Sequence, residues 1–234
     1  MMLPLTGERT LPGIGHENYW FRRHEVVYQY VAEHWLAGGA RVLDAGCGEG
    51  YGADLLRRGG TRVTGLDYDA LTAAHVRSAY PEIAVLRGNL VQLPFADRTF
   101  DLLVSLQTIE HLWDQNAFVS EVARVAAAQV LATPNRLTFP PGNICHTREL
   151  TAAEFAELLG QNLYVRELLG VHHGTRIKEW ERKNGSLVDA QLASTPEGWA
   201  PELSTFVTGL TVHDFEIGEA TDDCLDLIAA TTAG

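Results

Sequence analysis

The stretch VLDAGCGEGYG, residues 42–52, closes an apolar run with three glycines at alternate positions, Gly46, Gly48 and Gly50. Glycine admits positive φ and lets a backbone approach a ligand closely. A strand, a Gly-rich turn and a helix in that order therefore make a nucleotide cradle. Dinucleotide cradles have the spacing G-x-G-x-x-G. Counting from Gly46 leads through Gly48 to Tyr51, and counting from Gly48 leads through Gly50 to Ala53, so that spacing fails in both registers. Asp44, just ahead of the first glycine, points to a cradle of another kind.

Around this turn, apolar runs alternate with helical patterns. Residues 16–36 have apolar positions at helical spacing, among them Phe21, Val27, Tyr30 and Val31, and read as an amphipathic cap helix ahead of the first strand. Strands are expected at 41–45, 62–67, 83–87, 100–107, 129–134, 164–171 and 224–231, with helices near 51–58, 69–79, 116–126 and 151–161. Such alternation predicts an α/β fold with a mostly parallel, seven-stranded sheet and helices on both faces. Residues 172–223 form a long insertion before the last strand, and its Trp180, Trp199, Phe206 and Phe215 argue against disorder. The 234 residues suit one domain, with a ligand-binding core at 41–171.

The net charge of -12, with no basic run or basic helix face, excludes nucleic acid and anionic surfaces as natural partners. Cys47, Cys145 and Cys224 are scattered without C-x-x-C spacing, as expected for reduced thiols. The opening MMLPLTGERT has neither a basic nor an apolar leader segment, and no run is long enough to span a bilayer, so a cytoplasmic protein without membrane insertion is expected. The oligomeric state is left open.

Asp67, ending the second strand, is placed to hydrogen-bond ribose hydroxyls, as in any doubly wound nucleotide fold. In GNLVQLPFADRTFDLLVS, residues 88–105, Asn89 and the apolar turn after it offer a polar edge and an apolar bed to an adenine. VLDAGCGEG, Asp67, LPFADRTFDLLVS and IEHL together resemble the class I S-adenosylmethionine-dependent methyltransferases, with their Rossmann-like fold. The resemblance implies S-adenosyl-L-methionine as cofactor, with Gly46, Cys47 and Gly48 along its methionine moiety, Asp67 and Tyr68 at the ribose, and Asn89 with Leu90 at the adenine. Asp44 would organise the amine, directly or through water, and Gln107 would face the donor. The chain departs from the family pattern in Asn89, where Asp is usual, and in lacking a Pro-Gly-Gly turn before the fifth strand.

TGERTLPGIGHENYWFRRHEVVYQ, EGYGADLL, IEHLWDQ, HTREL and DDCLDLIA are further similar to an actinobacterial subgroup associated with mycobacterial methylglucose lipopolysaccharide. That likeness implies 6-O-methylation of glucosyl units in polysaccharide biosynthesis, with a small-molecule or oligosaccharide acceptor. QTIEHLWD, residues 107–114, lies at the carboxyl end of the fourth strand, where such sheets bind ligands. His111 is the expected catalytic base for a sugar hydroxyl, since a near-neutral imidazole takes its departing proton. His16, His24, His146, His172 and His173 also fall in segments expected to cover the crevice. A metal held by some of His111, Asp114, His146 and His173 has no diagnostic spacing, so none is assigned. The aromatics of NYWF, residues 18–21, and of the insertion suit a carbohydrate face or a small core of their own. Two rival readings stay open at this point: a carbon methyltransferase with a quinone or lipid acceptor, and a donor-binding module without turnover.

Overall fold

Arg41–Ala45, Arg62–Asp67, Ala84–Arg87 and Phe100–Leu106 are short, Val- and Leu-rich runs ended by Gly, Asp or Gln, and they form strands β1 to β4. The structure, a computed structural model, describes Leu3 and residues 9–233. Most of the opening segment examined for a leader lies outside them. No helix among the described residues is long and apolar enough to cross a membrane.

A 3-10 turn at Gly15–Glu17 leads into helix α1, Asn18–His34. Helices α2 (Tyr51–Arg58) and α3 (Ala70–Ala79) follow β1 and β2, and α4 (Gln115–Val125) precedes β5 (Ala126–Pro134). The missing Pro-Gly-Gly turn is visible here: Ala126 both caps α4 and opens β5. Then come α5 (Ala152–Gly160), β6 (Leu163–His173), α6 (Thr175–Asn184), α7 (Leu187–Leu192), α8 (Pro201–Thr208), β7 (Phe215–Glu219) and β8 (Asp226–Ala233).

The sheet has the order β3-β2-β1-β4-β5-β8-β6-β7, with β1 to β5 parallel and β8 antiparallel to both its neighbours. Both faces are covered, so alternate strand residues enter two cores. Val42, Leu102 and Val104 pack with Val27, Tyr28 and Leu56 of α1 and α2, while Leu43, Leu103 and Leu131 pack with Phe118, Val122 and Phe155 of α4 and α5. The order in which strands are added reverses between the parallel neighbours β1 and β4, which places a crevice at their carboxyl ends.

The expected seven strands are eight. Phe215–Glu219, inside the segment read as an insertion, pairs antiparallel with β6 as an edge strand. An edge strand of five residues buries one side chain, Phe215, and so lacks the apolar run that marks a central strand. The helical excursion therefore lies between β6 and β7, not directly before the last strand, and that strand begins at Asp226 instead of Cys224.

Candidate active site

Three hollows meet at the switch point. A cleft of about 360 Å³ runs over the Gly-rich turn and is lined by Gly46, Gly48, Asp67, Tyr68, Leu90, Gln107, Thr108, His111 and Leu112. A small recess of about 60 Å³ lies deeper, between Tyr28, Cys47, Glu49 and Tyr51. A chamber of about 410 Å³ opens beyond Gln107 and His111. Gln107 borders all three, and Arg9 does as well.

The turn is built for close approach. Gly46 has φ +85°, and a Cβ there would fall 2.5 Å from the Thr108 hydroxyl. Its N–H and that of Cys47 both donate to the Leu66 carbonyl, at 2.8 and 3.1 Å, which folds the turn over β2. Gly48 has φ +50°, and a Cβ there would meet no atom of the described residues within 4 Å, so its surface faces the cleft. Asp67 accepts from the Gly48 N–H at 3.0 Å and from the Asp69 N–H at 2.9 Å. Burial raises the Asp67 pKa, and those two N–H bonds work against the rise. Tyr68 stands 68% exposed at the rim, with the Arg87 guanidinium 5.8 Å from its ring centre.

Two donor-site expectations land differently. Asp44 is fully buried and borders none of the three hollows; its carboxylate accepts from the Tyr28 hydroxyl, which does border the recess. Burial pushes Asp44 up to about 7. Asn89 is exposed, and its side-chain oxygen accepts from the Val91 N–H at 3.1 Å, so it shapes the turn that carries Leu90 into the cleft.

The Asp44 carboxyl ionises at about 7 in the fold against 3.8 as an ordinary carboxyl, so folding opposes its ionisation. The resulting cost is absent below pH 4, grows as pH rises, and is constant above about pH 7. Asp44→Asn removes it and keeps an acceptor for Tyr28. Thermal denaturation should show the variant matching wild type near pH 4 and more stable at pH 8, by up to about 4 kcal/mol.

Gln107, directly after β4, has φ +51°, an uncommon conformation for a residue with a side chain. Its Nε2–H donates to Asp226 on β8 at 2.9 Å. The same carboxylate takes both arms of the Arg23 guanidinium from α1, at 2.5 and 2.6 Å. The ion pair is buried, Arg23 at 2% exposure and Asp226 at 0%, while Gln107 is half-buried at the cleft. The cap helix, the last strand and the cleft are thus held by one bidentate ion pair.

His111 follows Gln107 on a short 3-10 turn, Ile109–His111. The Thr147 N–H and hydroxyl both donate to the Glu110 carbonyl, at 2.7 and 3.0 Å, and draw the loop after β5 against this turn. The Gln115 amide donates to the carbonyls of Ile109 and Arg148 at 3.0 Å and clamps the same junction. His111 Nδ1–H donates to the Cys145 carbonyl at 3.0 Å, which puts the lone pair of the neutral ring on Nε2. Glu110 is 1% exposed, and burial raises its pKa to about 8.

The chamber wall comes from α1 and from the loop after β5, with Trp20 and Phe139, Pro140 and Pro141 on the apolar side and Glu17, His24, Asn143 and His146 on the polar side. His24 is half-buried, and desolvation lowers its pKa to about 4. Among the described residues of 172–223, Leu192 alone reaches the chamber. Trp180 and Phe206 stack on each other at 5.3 Å, and Trp199 donates to the Gln191 carbonyl, so these aromatics build the segment's own core. His173 accepts from the Tyr19 hydroxyl at 2.8 Å and donates to Glu181 at 3.0 Å, and His172 donates to the Glu219 carbonyl; neither borders the chamber. His16 sits beside Glu17 at 3.9 Å. Asp114 caps α4 through the Ala117 N–H.

Sequence reasoning missed Arg9, Thr108, Phe139 and the proline loop. Arg9 and the loop carry no periodicity. Thr108 alone had a signal, since a glycine turn under a strand end needs a small neighbour there.

An open sheet with a Gly-rich turn after β1, an acid after β2 and an apolar bed after β3 is the arrangement of the doubly wound proteins that bind a nucleoside-bearing ligand at the switch point. A family model described as a methyltransferase domain matches residues 43–130. A probable S-adenosylmethionine-dependent methyltransferase of Mycolicibacterium smegmatis is 49% identical, over 97% of this chain and 94% of the relative. One of Mycobacterium tuberculosis is 47% identical, over 97% and 89%. The chain belongs to the S-adenosylmethionine-dependent methyltransferases. Among solved structures, a TehB-like S-adenosylmethionine-dependent methyltransferase of Corynebacterium glutamicum superposes with a TM-score of 0.58 at 18% identity, covering 94% of this chain and 98% of that one. This likeness confirms the Rossmann-like fold.

The residues present fit the cofactor. Gly48 leaves an open surface where a side chain would intrude, Asp67 offers a carboxylate to the cleft, and Leu90 gives it an apolar floor.

Proposed function

We propose that this methyltransferase acts on a sugar hydroxyl, transferring a methyl group to O6 of glucosyl units in a methylglucose polysaccharide precursor. The observation that carries this reading is the chamber itself. Its Trp20 and Phe139 supply ring faces for a sugar, Glu17 and Asn143 supply hydrogen-bonding groups, and its inner end meets the donor cleft at His111.

S-adenosylmethionine, when bound, supplies an electrophilic methyl on its sulfonium. Gly46, Cys47 and Gly48 line the methionine end, Tyr28 presents its hydroxyl there under the hold of Asp44, Asp67 and Tyr68 take the ribose, and the turn of Asn89 and Leu90 takes the adenine. Gln107, pinned by Asp226, fixes the wall between donor and acceptor. His111 accepts the acceptor's hydroxyl proton at Nε2 as the oxygen forms its bond to carbon, while its Nδ1–H stays on the Cys145 carbonyl and keeps the ring oriented. The chamber wall excludes water and orients the sugar, which supplies much of the acceleration.

The test is turnover on a panel of short gluco-oligosaccharides, with mass spectrometry and linkage analysis of the product. Gain of one methyl at O6 is expected. Methylation of a quinone or lipid with none on any glucan would replace this reading with a carbon or lipid methyltransferase. The ribose contact has its own measurement. Asp67→Ala should weaken S-adenosylhomocysteine binding by about 1–3 kcal/mol in calorimetry, the scale of a lost buried polar contact, and an unchanged affinity would remove Asp67 from that role.

A further inference from the structure

One buried group of the chamber wall is unsatisfied. Glu110 Oε2 accepts from the Thr133 hydroxyl at 3.1 Å, but Oε1 is buried without a hydrogen-bond partner among the described residues. A carboxylate oxygen withdrawn from water and given nothing in return is costly, and such a group usually has a ligand to meet.

Two imidazoles surround it. One donor atom from each of Glu110, His111 and His146 lies within 4.8 Å of the other two. His111 Nε2 is 4.0 Å from Glu110 Oε1, and the two rings meet edge to face with centres 4.8 Å apart. Each ring is fixed from behind through Nδ1. His111 donates to the Cys145 carbonyl at 3.0 Å, and His146 donates to the Glu149 carboxylate at 2.7 Å. The Asn143 amide confirms the second assignment. Its oxygen accepts from the Cys145 N–H, so its NH₂ faces His146 Nε2 and donates at 3.1 Å. Both Nε2 atoms therefore carry lone pairs. Metal-ligating histidines are held in this manner, one nitrogen on a carbonyl or carboxylate and the other on the ion.

We propose that Glu110, His111 and His146 form a site for a divalent transition-metal ion of the zinc class. Two imidazoles and one carboxylate favour zinc over magnesium or calcium, and this ligand set leaves a coordination position open. Tetrahedral zinc spaces its ligand atoms about 3.3 Å apart, so a present spread of up to 4.8 Å closes by side-chain rotation. Asn143 gives up its bond to His146 as the ion enters. The consequence for the enzyme rests on the base reading of His111. The ion takes the same Nε2 lone pair that the hydroxyl proton needs, so zinc and catalysis exclude each other and the metal switches transfer off.

The test titrates the metal-free full chain with Zn²⁺ by calorimetry and with Co²⁺ by visible absorption. One ion per chain with a Kd of about 1 μM or tighter is expected, with the intense bands of four-coordinate Co²⁺ that millimolar Mg²⁺ does not erase. Glu110→Gln and His146→Ala should each weaken Zn²⁺ by at least about 30-fold, while S-adenosylhomocysteine affinity stays within about threefold of wild type and reports an intact fold. Stoichiometric Zn²⁺ binding that survives in both variants would overturn the site, as would no binding at about 100 μM. Transfer to a gluco-oligosaccharide then separates the two readings. Inhibition by saturating Zn²⁺, reversed by chelation, supports both. A Zn²⁺-loaded chain that transfers at full rate would retain the metal site and remove His111 as the base.

Discussion

Replacing His111 with alanine should lower turnover by about 10²- to 10⁴-fold and leave S-adenosylhomocysteine affinity within about threefold of wild type. The split follows from where the ring sits. His111 borders both the cleft and the chamber, but the wall proposed for the donor is made chiefly by the glycine turn, Asp67 and Leu90. A residue that only held its loop would behave otherwise. Its loss would loosen the junction with Cys145, lowering donor affinity and thermal stability together while turnover at saturation fell only modestly. Single-turnover kinetics with donor calorimetry on the same preparation separates the two patterns. Near-wild-type turnover in a variant that binds donor normally would remove His111 from the chemistry.

A second large effect is expected at Asp226. Asp226→Ala leaves the Arg23 guanidinium at 2% exposure with no counter-charge, and removes the acceptor that holds Gln107. Breaking a buried pair from one side costs about 3–5 kcal/mol, because the remaining charge stays desolvated. For a chain of this size that lowers Tm by roughly 10 °C. The double variant Arg23→Met with Asp226→Leu should recover most of that loss, since two apolar side chains remove the stranded charge. It should not recover donor affinity, because Gln107 is still released. Thermal denaturation of the three variants, with calorimetry on each that folds, checks both halves. A single variant as stable as wild type would show that the pair does not hold the cap helix.

The cleft over the glycine turn was legible because its residues sit at strand ends. β1 and β2 lie at Arg41–Ala45 and Arg62–Asp67, as their apolar runs indicate, and a strand end dictates where the next side chain goes. Asp67, Leu90, Gln107 and His111 line the cleft for that reason. Asp44 was harder, since the sequence shows an acid beside a glycine turn but not that Tyr28, sixteen residues earlier, stands between it and the recess. The chamber beyond it was mostly hidden. Its wall is the loop carrying Phe139, Pro140 and Pro141, where no periodicity reports orientation, and the conspicuous tryptophans of 172–223 turned out to pack on one another. Glu110 and His146 are drawn together by hydrogen bonds between loops far apart in sequence, such as Thr147 to the Glu110 carbonyl. Contacts of that kind leave no local pattern to read.

The place of β8 in the sheet sets a timetable for synthesis. This strand, at residues 226–233, fills the gap between β5 and β6, and β6 has β8 as its inner neighbour. On the ribosome, β1 to β5 can pair as they emerge, whereas β6 must wait beside an open edge until some fifty further residues have been made. An unpaired edge of that kind is where a nascent chain is most exposed to wrong partners. Arg23 likewise waits for Asp226, so Gln107 has no anchor and the donor cleft is unfinished until translation is nearly complete. In a growing chain of this design, Gln107 gains its anchor only when the last strand arrives.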